Sequence, residues 1–251
     1  MKLNGNTIFI TGGTSGIGRA LAEALHKLGN EVIISGRRQA LLDEITKANP
    51  GMHGVQLNVE DPASIAAVGR QLSADFPKLN VLINNAGIMH IDNAGAPVDD
   101  AMAASTVTTN LLGPIRMTSA LIEHLKAQPQ AAVLNVTSVL GFVPLAVSAV
   151  YSSTKAALHS YTMSQRFMLR DTSVSVLEIA PPWVQTDLLN SKEEPRAMPL
   201  EPFIKETLEV LGTDAEEILV ENAKFLRANP GVNEGKFVTE FNHMFLNPPA
   251  A

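Results

Sequence analysis

Apolar and polar positions follow two alternating patterns along this chain. Short apolar, β-branched runs are separated by longer stretches in which apolar residues return every three or four positions. Thr7 to Thr11 (Thr-Ile-Phe-Ile-Thr) is a run of the first kind and reads as a buried strand. Ile17, Leu21, Leu25 and Leu28 then lie on one helical face, and Gly29-Asn30 ends that helix. The alternation continues with strands at Glu31–Ser35, His53–Leu57, Val81–Asn84, Ala131–Thr137 and Val174–Ile179. Helical patterns fill the gaps. One runs from Gln39 to Asn49, and one opens at Asp61-Pro62 with an N-cap followed by proline at N1. A long one from Asp99 to Gln128 breaks near Gly113-Pro114, and one carries Tyr151 to about Arg170.

Strands alternating with helices in this way predict a single α/β domain over residues 1–251, a Rossmann-type doubly wound parallel sheet with helices on both faces. Beyond the sixth strand the chain turns polar from Asp187 to about Pro199, within a substrate loop or lid expected around 187–212. Helical patterns follow near Glu201–Leu211 and Asp214–Arg227, and Lys236–Thr239 is expected as a last strand. The tail, Phe241–Leu246 with Pro248-Pro249, is apolar for a chain end. It is either docked on the core or part of a subunit contact.

Composition narrows the chemistry. Of 251 residues, 45% are hydrophobic and only 5% aromatic, so the core is aliphatic. A net charge of −6 argues against a nucleic-acid groove. Cysteine is absent, which excludes disulfides and thiolate metal sites, and the six histidines show no metal-ligand spacing. No metal is expected. No run approaches the roughly 18 apolar residues of a membrane span, and no signal segment precedes the first strand, so no membrane association and a cytoplasmic location are expected.

In an open α/β sheet, ligands bind at the carboxyl ends of the strands, and the unusual residues of this chain fall there. Gly12-Gly13-Thr14-Ser15-Gly16-Ile17-Gly18 joins a strand to a helix, which places bare N–H groups and a helix N-terminus at one point suited to a pyrophosphate. At the end of the second strand stands Gly36-Arg37-Arg38, where NAD sites usually carry an acid. An arginine fork suits a 2′-phosphate, so NADP(H) is preferred over NAD(H), with Arg37 ahead of Arg38; the alternative is that the arginines only start the next helix in solvent. Asn58-Val59 and Asn84-Asn85-Ala86-Gly87 end the third and fourth strands. Ser138 ends the fifth, and Asn110 precedes the helix break at Gly113-Pro114. Tyr151 and Lys155 are four apart and share one helical face, where an ammonium would draw the phenol down from about 10 toward neutral.

Taken together, these motifs resemble the short-chain dehydrogenase/reductase family, the branch of about 250 residues, over roughly residues 3–190. Ala180-Pro181-Pro182 and Tyr151-Ser-Ser-Thr-Lys-Ala-Ala-Leu-His resemble its DltE-like subgroup. The resemblance implies an NADP-dependent oxidoreductase that interconverts a ketone or aldehyde with an alcohol. In it Tyr151 is the general acid or base, Lys155 tunes it and binds the nicotinamide ribose, and Ser138 orients the carbonyl. Asn110 holds a water linking Lys155 to solvent. Gly12, Thr14, Ser15, Gly16 and Ile17 surround the pyrophosphate, and Asn58 and Val59 flank the adenine. Asn85 and Ala86, with Gly87 beside them, pack on the adenosine ribose, and Pro181, Val184 and Thr186 meet the nicotinamide end. A homodimer or homotetramer is also implied. Departures from the family pattern are Asn58, where many relatives carry aspartate, and Pro182 in place of the usual glycine.

The expected substrate walls are Met89, His90, Leu140, Phe142, Leu145, Trp183 and Leu188, mostly apolar, which suggests a hydrophobic carbonyl compound. His90 either hydrogen-bonds a substrate group or is an ordinary loop residue, and Trp183 is either a pocket wall or packing under the lid. Two other readings stand beside the oxidoreductase. One is a cofactor-binding sensor or interaction protein on the same fold, and the other an epimerase or lyase using bound cofactor transiently.

Overall fold

The computed structural model describes residues 1–229 and 231–246. Seven strands form one parallel sheet in the order β3-β2-β1-β4-β5-β6-β7. They are β1 (Thr7–Ile10), β2 (Glu31–Gly36), β3 (His53–Gln56), β4 (Leu79–Asn84), β5 (Ala131–Val136), β6 (Val174–Ile179) and β7 (Glu217–Ile218). The helices are α1 (Gly16–Lys27), α2 (Gln39–Ala48), α3 (Pro62–Asp75), α4 (Asp100–Val107), α5 (Gly113–Lys126), α6 (Ala149–Leu169), α7 (Leu200–Leu211), α8 (Glu221–Arg227) and α9 (Glu234–Leu246).

The continuous apolar runs are explained by burial on both faces. In β1, Ile8 and Ile10 enter one core cluster with Leu21 and Leu25 of α1, while Phe9 enters the other with Leu72 of α3 and Leu121 of α5. A parallel strand covered on both sides has no polar face to alternate with. From β1 the chain steps outward to β2 and β3, then returns to β4 and runs the other way. The reversal lies between β1 and β4, and the crevice at their carboxyl ends is where such sheets take ligands.

Two expectations beyond the sixth strand are corrected. Lys236–Thr239 is not a strand but part of α9. Phe237, Val238 and Phe241 pack on the core from that helix, a spacing that a four-residue window cannot show. The last strand is instead Glu217–Ile218, inside the stretch expected as one helix over 214–227. It pairs Glu217 with Glu178 and Ile218 with Ile179, and two residues are too few for any periodicity. The apolar tail Phe241–Leu246 is docked as the end of α9, and Pro248-Pro249 lie outside the described residues. Within 187–212, Leu188–Glu193 is a run of tight turns, whereas α7 buries Phe203 and Ile204 and packs beside α1. No helix among the described residues is long and apolar enough to cross a membrane.

Candidate active site

The turn between β1 and α1 is built from backbone. Gly12 sits at φ 67°, and a Cβ there would lie 2.8 Å from Ala86 Cα. A Cβ on Gly18 would lie 2.3 Å from both Asn85 Nδ2 and the Gly12 carbonyl oxygen. Into the notch these glycines leave, Asn85 donates from Nδ2 to the carbonyls of Thr11 (3.0 Å) and Gly12 (3.1 Å). Thr11 Oγ1 accepts in turn from the N–H groups of Asn85 (3.0 Å) and Ala86 (3.1 Å). Hence the Asn85 amide braces the turn, and Asn85 also lines the cavity beside Ala86. Ser15, at the N-cap of α1, makes no side-chain cap bond, and the first turn holds no acid, so the positive helix end and its open N–H groups are available to an anion.

Arg37 and Arg38 follow β2, exposed, on the wall of the same cavity, and neither is ion-paired among the described residues. Asn58 also lines it, with Oδ1 accepting from Glu60 N–H (3.2 Å) in a local turn. This donor set, a glycine cradle with a helix end and two free guanidiniums, fits a dinucleotide. By contrast Asn84, at the end of β4, points away from the crevice, its amide donating to Thr118 (3.0 Å) and Asn135 (2.9 Å) in the core.

The second centre lies on α6. Asp92 holds the start of that helix: Oδ1 accepts from Ala149 N–H (3.0 Å) and Oδ2 from Val150 N–H (2.9 Å). Ser148 Oγ donates to the His90 carbonyl (2.9 Å), so the 90–92 loop is stapled to the turn that presents Tyr151. Ser138 caps the turn after β5, accepting from Leu140 N–H (3.1 Å), and its hydroxyl hydrogen-bonds Tyr151. Lys155 donates from Nζ to the Val136 carbonyl (2.8 Å), 5.6 Å from the Tyr151 ring centre.

The expected lowering of Tyr151 toward neutral does not occur in the protein chain itself. Burial pushes the phenol up to about 12, and the Ser138 hydrogen bond only opposes it. The ammonium's bond goes to Val136 rather than to the phenol, and burial lowers Lys155 itself to about 8 against the pull of the Glu178 carboxylate.

Asn110 is fully buried in a π turn, Thr108–Leu112, between α4 and α5. Such a widened turn reorients side chains and is common at functional sites. Asn110 Oδ1 accepts from Ile88 N–H (2.8 Å), while Nδ2 donates to the Ile88 carbonyl (2.8 Å) and Thr154 Oγ1 (3.2 Å). It stands behind the cavity wall at Gly87, where a Cβ would meet its Oδ1 at 3.4 Å and Lys155 Nζ at 3.6 Å.

One cavity of about 920 Å³ joins the two centres. Gly12, Thr14, Ser15, Gly16, Ile17, Val59, Ala86 and Gly87 line one end, and Pro181, Val184 and Thr186 line the middle with Ser138, Tyr151 and Lys155. Of the expected substrate walls, Met89, Leu140, Leu145, Trp183 and Leu188 line the far end. His90 does not: it is exposed and contributes its carbonyl to Ser148. Neither does Phe142, which is buried edge-on to the His159 ring (4.9 Å) beneath Arg227 (4.7 Å).

Sequence reading missed Leu189, Arg196, Leu226, Phe241, Met244 and Phe245, which complete that end. Phe245 packs 5.3 Å from Trp183, and Arg196 lies over both rings at 5.5 and 4.9 Å. Glu194 holds the Arg196 fork through Nε (2.8 Å) and Nη2 (3.0 Å). Asn242 ties α9 to the turn before α6, accepting from Ala146 N–H (2.5 Å) and donating to the Pro144 carbonyl (3.0 Å). The spacing of Phe241 and Phe245, one helical turn apart, was the available signal; Asp92 and Asn242 gave none.

Pro182 removes a backbone donor beside Trp183, and the indole N–H instead donates to Ser191 Oγ (2.8 Å). Val184 and Met198 bridge the base of the 183–198 loop. Inside it Leu189 and Asn190 adopt left-handed conformations (φ 53° and 52°), each costing on the order of 1 kcal/mol.

A family model described as short chain dehydrogenase matches residues 6–197. A Bacillus subtilis protein described as the uncharacterized oxidoreductase DltE is 40% identical over 90% of this chain and 92% of its own length. An NADP-dependent 3-hydroxy acid dehydrogenase of Schizosaccharomyces pombe is 34% identical over 74% of each chain. Among solved structures, a short chain dehydrogenase of Burkholderia cenocepacia in complex with NADP superposes with a TM-score of 0.84. It is 24% identical, over 99% of this chain and 100% of that one, a likeness of fold.

Proposed function

The chain belongs to the short-chain dehydrogenase/reductase family, on its DltE-like branch, and from that premise we propose that it is an NADP(H)-dependent oxidoreductase interconverting an apolar ketone or aldehyde with its alcohol. The observation that carries this reading is the single cavity that runs from a backbone cradle for a dinucleotide to the Tyr151–Ser138 pair.

The bound nicotinamide cofactor supplies the hydride. Tyr151 gives its proton to the carbonyl oxygen in reduction and takes one back in oxidation. A phenol raised to about 12 keeps that proton at neutral pH. Ser138 donates a hydrogen bond to the same oxygen, and Lys155 places positive charge beside the phenolate as it forms. Asn110 holds the backbone at Ile88 against this pair and fixes the Gly87 wall. Arg37, with Arg38 beside it, takes the 2′-phosphate. In support, both arginines are unpaired on the cavity wall, and NADP appears in the descriptions of two of the relatives above.

The apolar substrate follows from charge. Arg196 and Asp187 are the charged groups at the far end, and each is paired, with Glu194 at 2.8 Å and with Lys192 at 2.6 Å. Exposed Met163, Phe167 and Met168 on α6 support a homo-oligomer, which light scattering of the purified protein would show as a mass at least double 26.8 kDa.

The test is NADPH consumption against ketones and aldehydes of increasing apolar size. Consumption with NADPH well above that with NADH is expected. Tight NADPH binding with no consumption across the panel would replace the enzyme by a sensor, and turnover without net NADPH loss would replace it by an epimerase or lyase.

A further inference from the structure

Aromatic residues make up only 5% of the chain, and Trp183 is its single tryptophan. Yet the far end of the cavity collects Trp183, Phe241 and Phe245. Two of these differ from the aromatics of the core. Phe9 and Phe203 are buried inside the fold, and Phe241 packs against the core from α9. Trp183 and Phe245 enter neither core cluster, stay half-buried and line the cavity. Nor does α9 need the Phe245 ring as its fastening. Asn242 ties the helix to the turn before α6, and Phe237 and Val238 pack it on the core.

The two rings are held as a platform. They come from the 183–198 loop and from the last turn of α9, with centres 5.3 Å apart and planes tilted by 41°. Trp183 Nε1 donates to Ser191 Oγ (2.8 Å), and Ser191 Oγ donates on to the Leu188 carbonyl (2.7 Å), which fixes the indole. Arg196 lies over both rings, and the two oxygens of Glu194 hold its Nε and Nη2. A guanidinium held in this way keeps its flat face on the rings while its charge is compensated. The single donor of the indole is also taken. Toward the cavity there remains aromatic surface that asks no polar group of a ligand.

Aliphatic side chains alone would supply an apolar wall. Rings add a geometric preference, because a further ring gains by packing offset or edge-on at centre distances of roughly 4.5–7 Å. Met89 and Met244 line the same end, and a thioether also favours an aromatic edge.

We propose that the Trp183–Phe245 platform selects carbonyl substrates that carry an aromatic ring, with Phe245 as a specificity-determining residue. The substrate ring packs on the platform while its carbonyl lies in the same cavity at Tyr151. The substrate class rests on the reductase reading above, but the ring-binding site does not.

The test compares benzylacetone with its ring-saturated cyclohexyl counterpart. Both carry the same methyl ketone at the same distance from a ring, so the reacting group is unchanged. Calorimetric titration into the NADP+ complex reads binding without turnover, and NADPH consumption reads kcat/KM. A wall that valued apolar area alone would favour the cyclohexyl compound, whose apolar surface is the larger. An aromatic pair is worth about two- to tenfold beyond its area, so benzylacetone binds more tightly by about that ratio, and kcat/KM follows. In Phe245→Leu, which keeps apolar bulk and removes the ring, the ratio falls to one or below. Equal or weaker binding of benzylacetone by the wild type overturns the proposal, as does binding of neither ketone or a ratio retained in Phe245→Leu. If that variant does not fold, the emission of Trp183, the single tryptophan, decides: benzylacetone that binds without changing it overturns the proposal. Tighter benzylacetone binding with no NADPH consumption leaves the platform standing and removes the reductase reading. Equal binding with consumption of both ketones does the reverse.

Discussion

At the nucleotide end of the cavity the chain keeps its shape with backbone, and at the substrate end with side chains. The turn Thr11–Gly18 is locked to Asn85–Ala86 by close approach and four hydrogen bonds that involve main-chain atoms, three of them to Thr11 and one to Gly12. Its parts come from the ends of β1 and β4, neighbours in the sheet. The far end is a ring stack, Trp183 with Phe245 and Arg196, drawn from the 183–198 loop and from α9. Leu226, Phe241, Met244 and Phe245 of that wall also lie beyond the stretch matched by the family model, which ends at 197. A backbone cradle accepts one ligand shape and tolerates little change, whereas a side-chain wall can be recut without touching the fold. Under the proposed function, the first end would set which cofactor is bound and the second which substrate is accepted.

The sharpest test of this division removes the group between the two ends. Tyr151→Phe should lower kcat on the order of 10²–10⁴-fold, the usual worth of a positioned general acid. NADPH affinity, read by fluorescence titration, should stay within about twofold because the cradle is untouched. Retained turnover would displace Tyr151 from the reaction. Next in size is Arg37→Ala. Losing a charge-assisted hydrogen bond of about 1.5–3 kcal/mol should weaken NADPH binding by about 10- to 150-fold while leaving NADH unchanged. Equal losses for both nucleotides would place Arg37 outside the 2′-phosphate site.

The two ends also differ in how far the sequence exposed them. The cradle was readable because its signals are local: a strand, glycines at fixed offsets, a helix. Tyr151 and Lys155 were readable for the same reason, four residues apart on one face. Phe245 was not, since nothing in a tail of scattered aromatics says that it will meet Trp183, far away in the chain. His159 read as one histidine among six, and Glu178 as an ordinary strand residue, until the fold brought them within 2.8 Å. Pairing of that kind depends on crossover geometry and not on spacing. The tyrosine shift failed on different grounds: proximity to an ammonium was visible, but the depth of burial that outweighs it was not.

Smaller effects probe the substrate end alone. Phe245→Ala should raise KM for a large apolar ketone by about tenfold, within the 1–3 kcal/mol that a pocket gains from well-packed apolar groups. NADPH affinity should not move, and neither should KM for a short ketone that does not reach α9. A matching rise for both ketones would mean that α9 supports the fold rather than the substrate. Between the ends, pH acts through Lys155. Its positive charge is present below about 8 and lost above it, so kcat/KM for reduction should hold toward neutral pH and fall as the pH rises through 8. A profile flat to pH 10 would mean that the reaction does not need the ammonium.

The smallest effect tests the joint that carries the reacting group. Asp92 accepts the N–H groups of Ala149 and Val150 at the start of α6, two residues and one residue before Tyr151. Asp92→Ala removes an N-terminal cap and a negative charge from the positive end of the helix, at a cost of about 1 kcal/mol. In a chain of 251 residues that lowers Tm by roughly 2–4 °C. Because the cap holds the turn presenting Tyr151 and not the cradle, kcat should fall a fewfold while NADPH affinity holds. If both fell together, the ends of the cavity would be mechanically one, and the division between backbone cradle and side-chain wall would fail at α6.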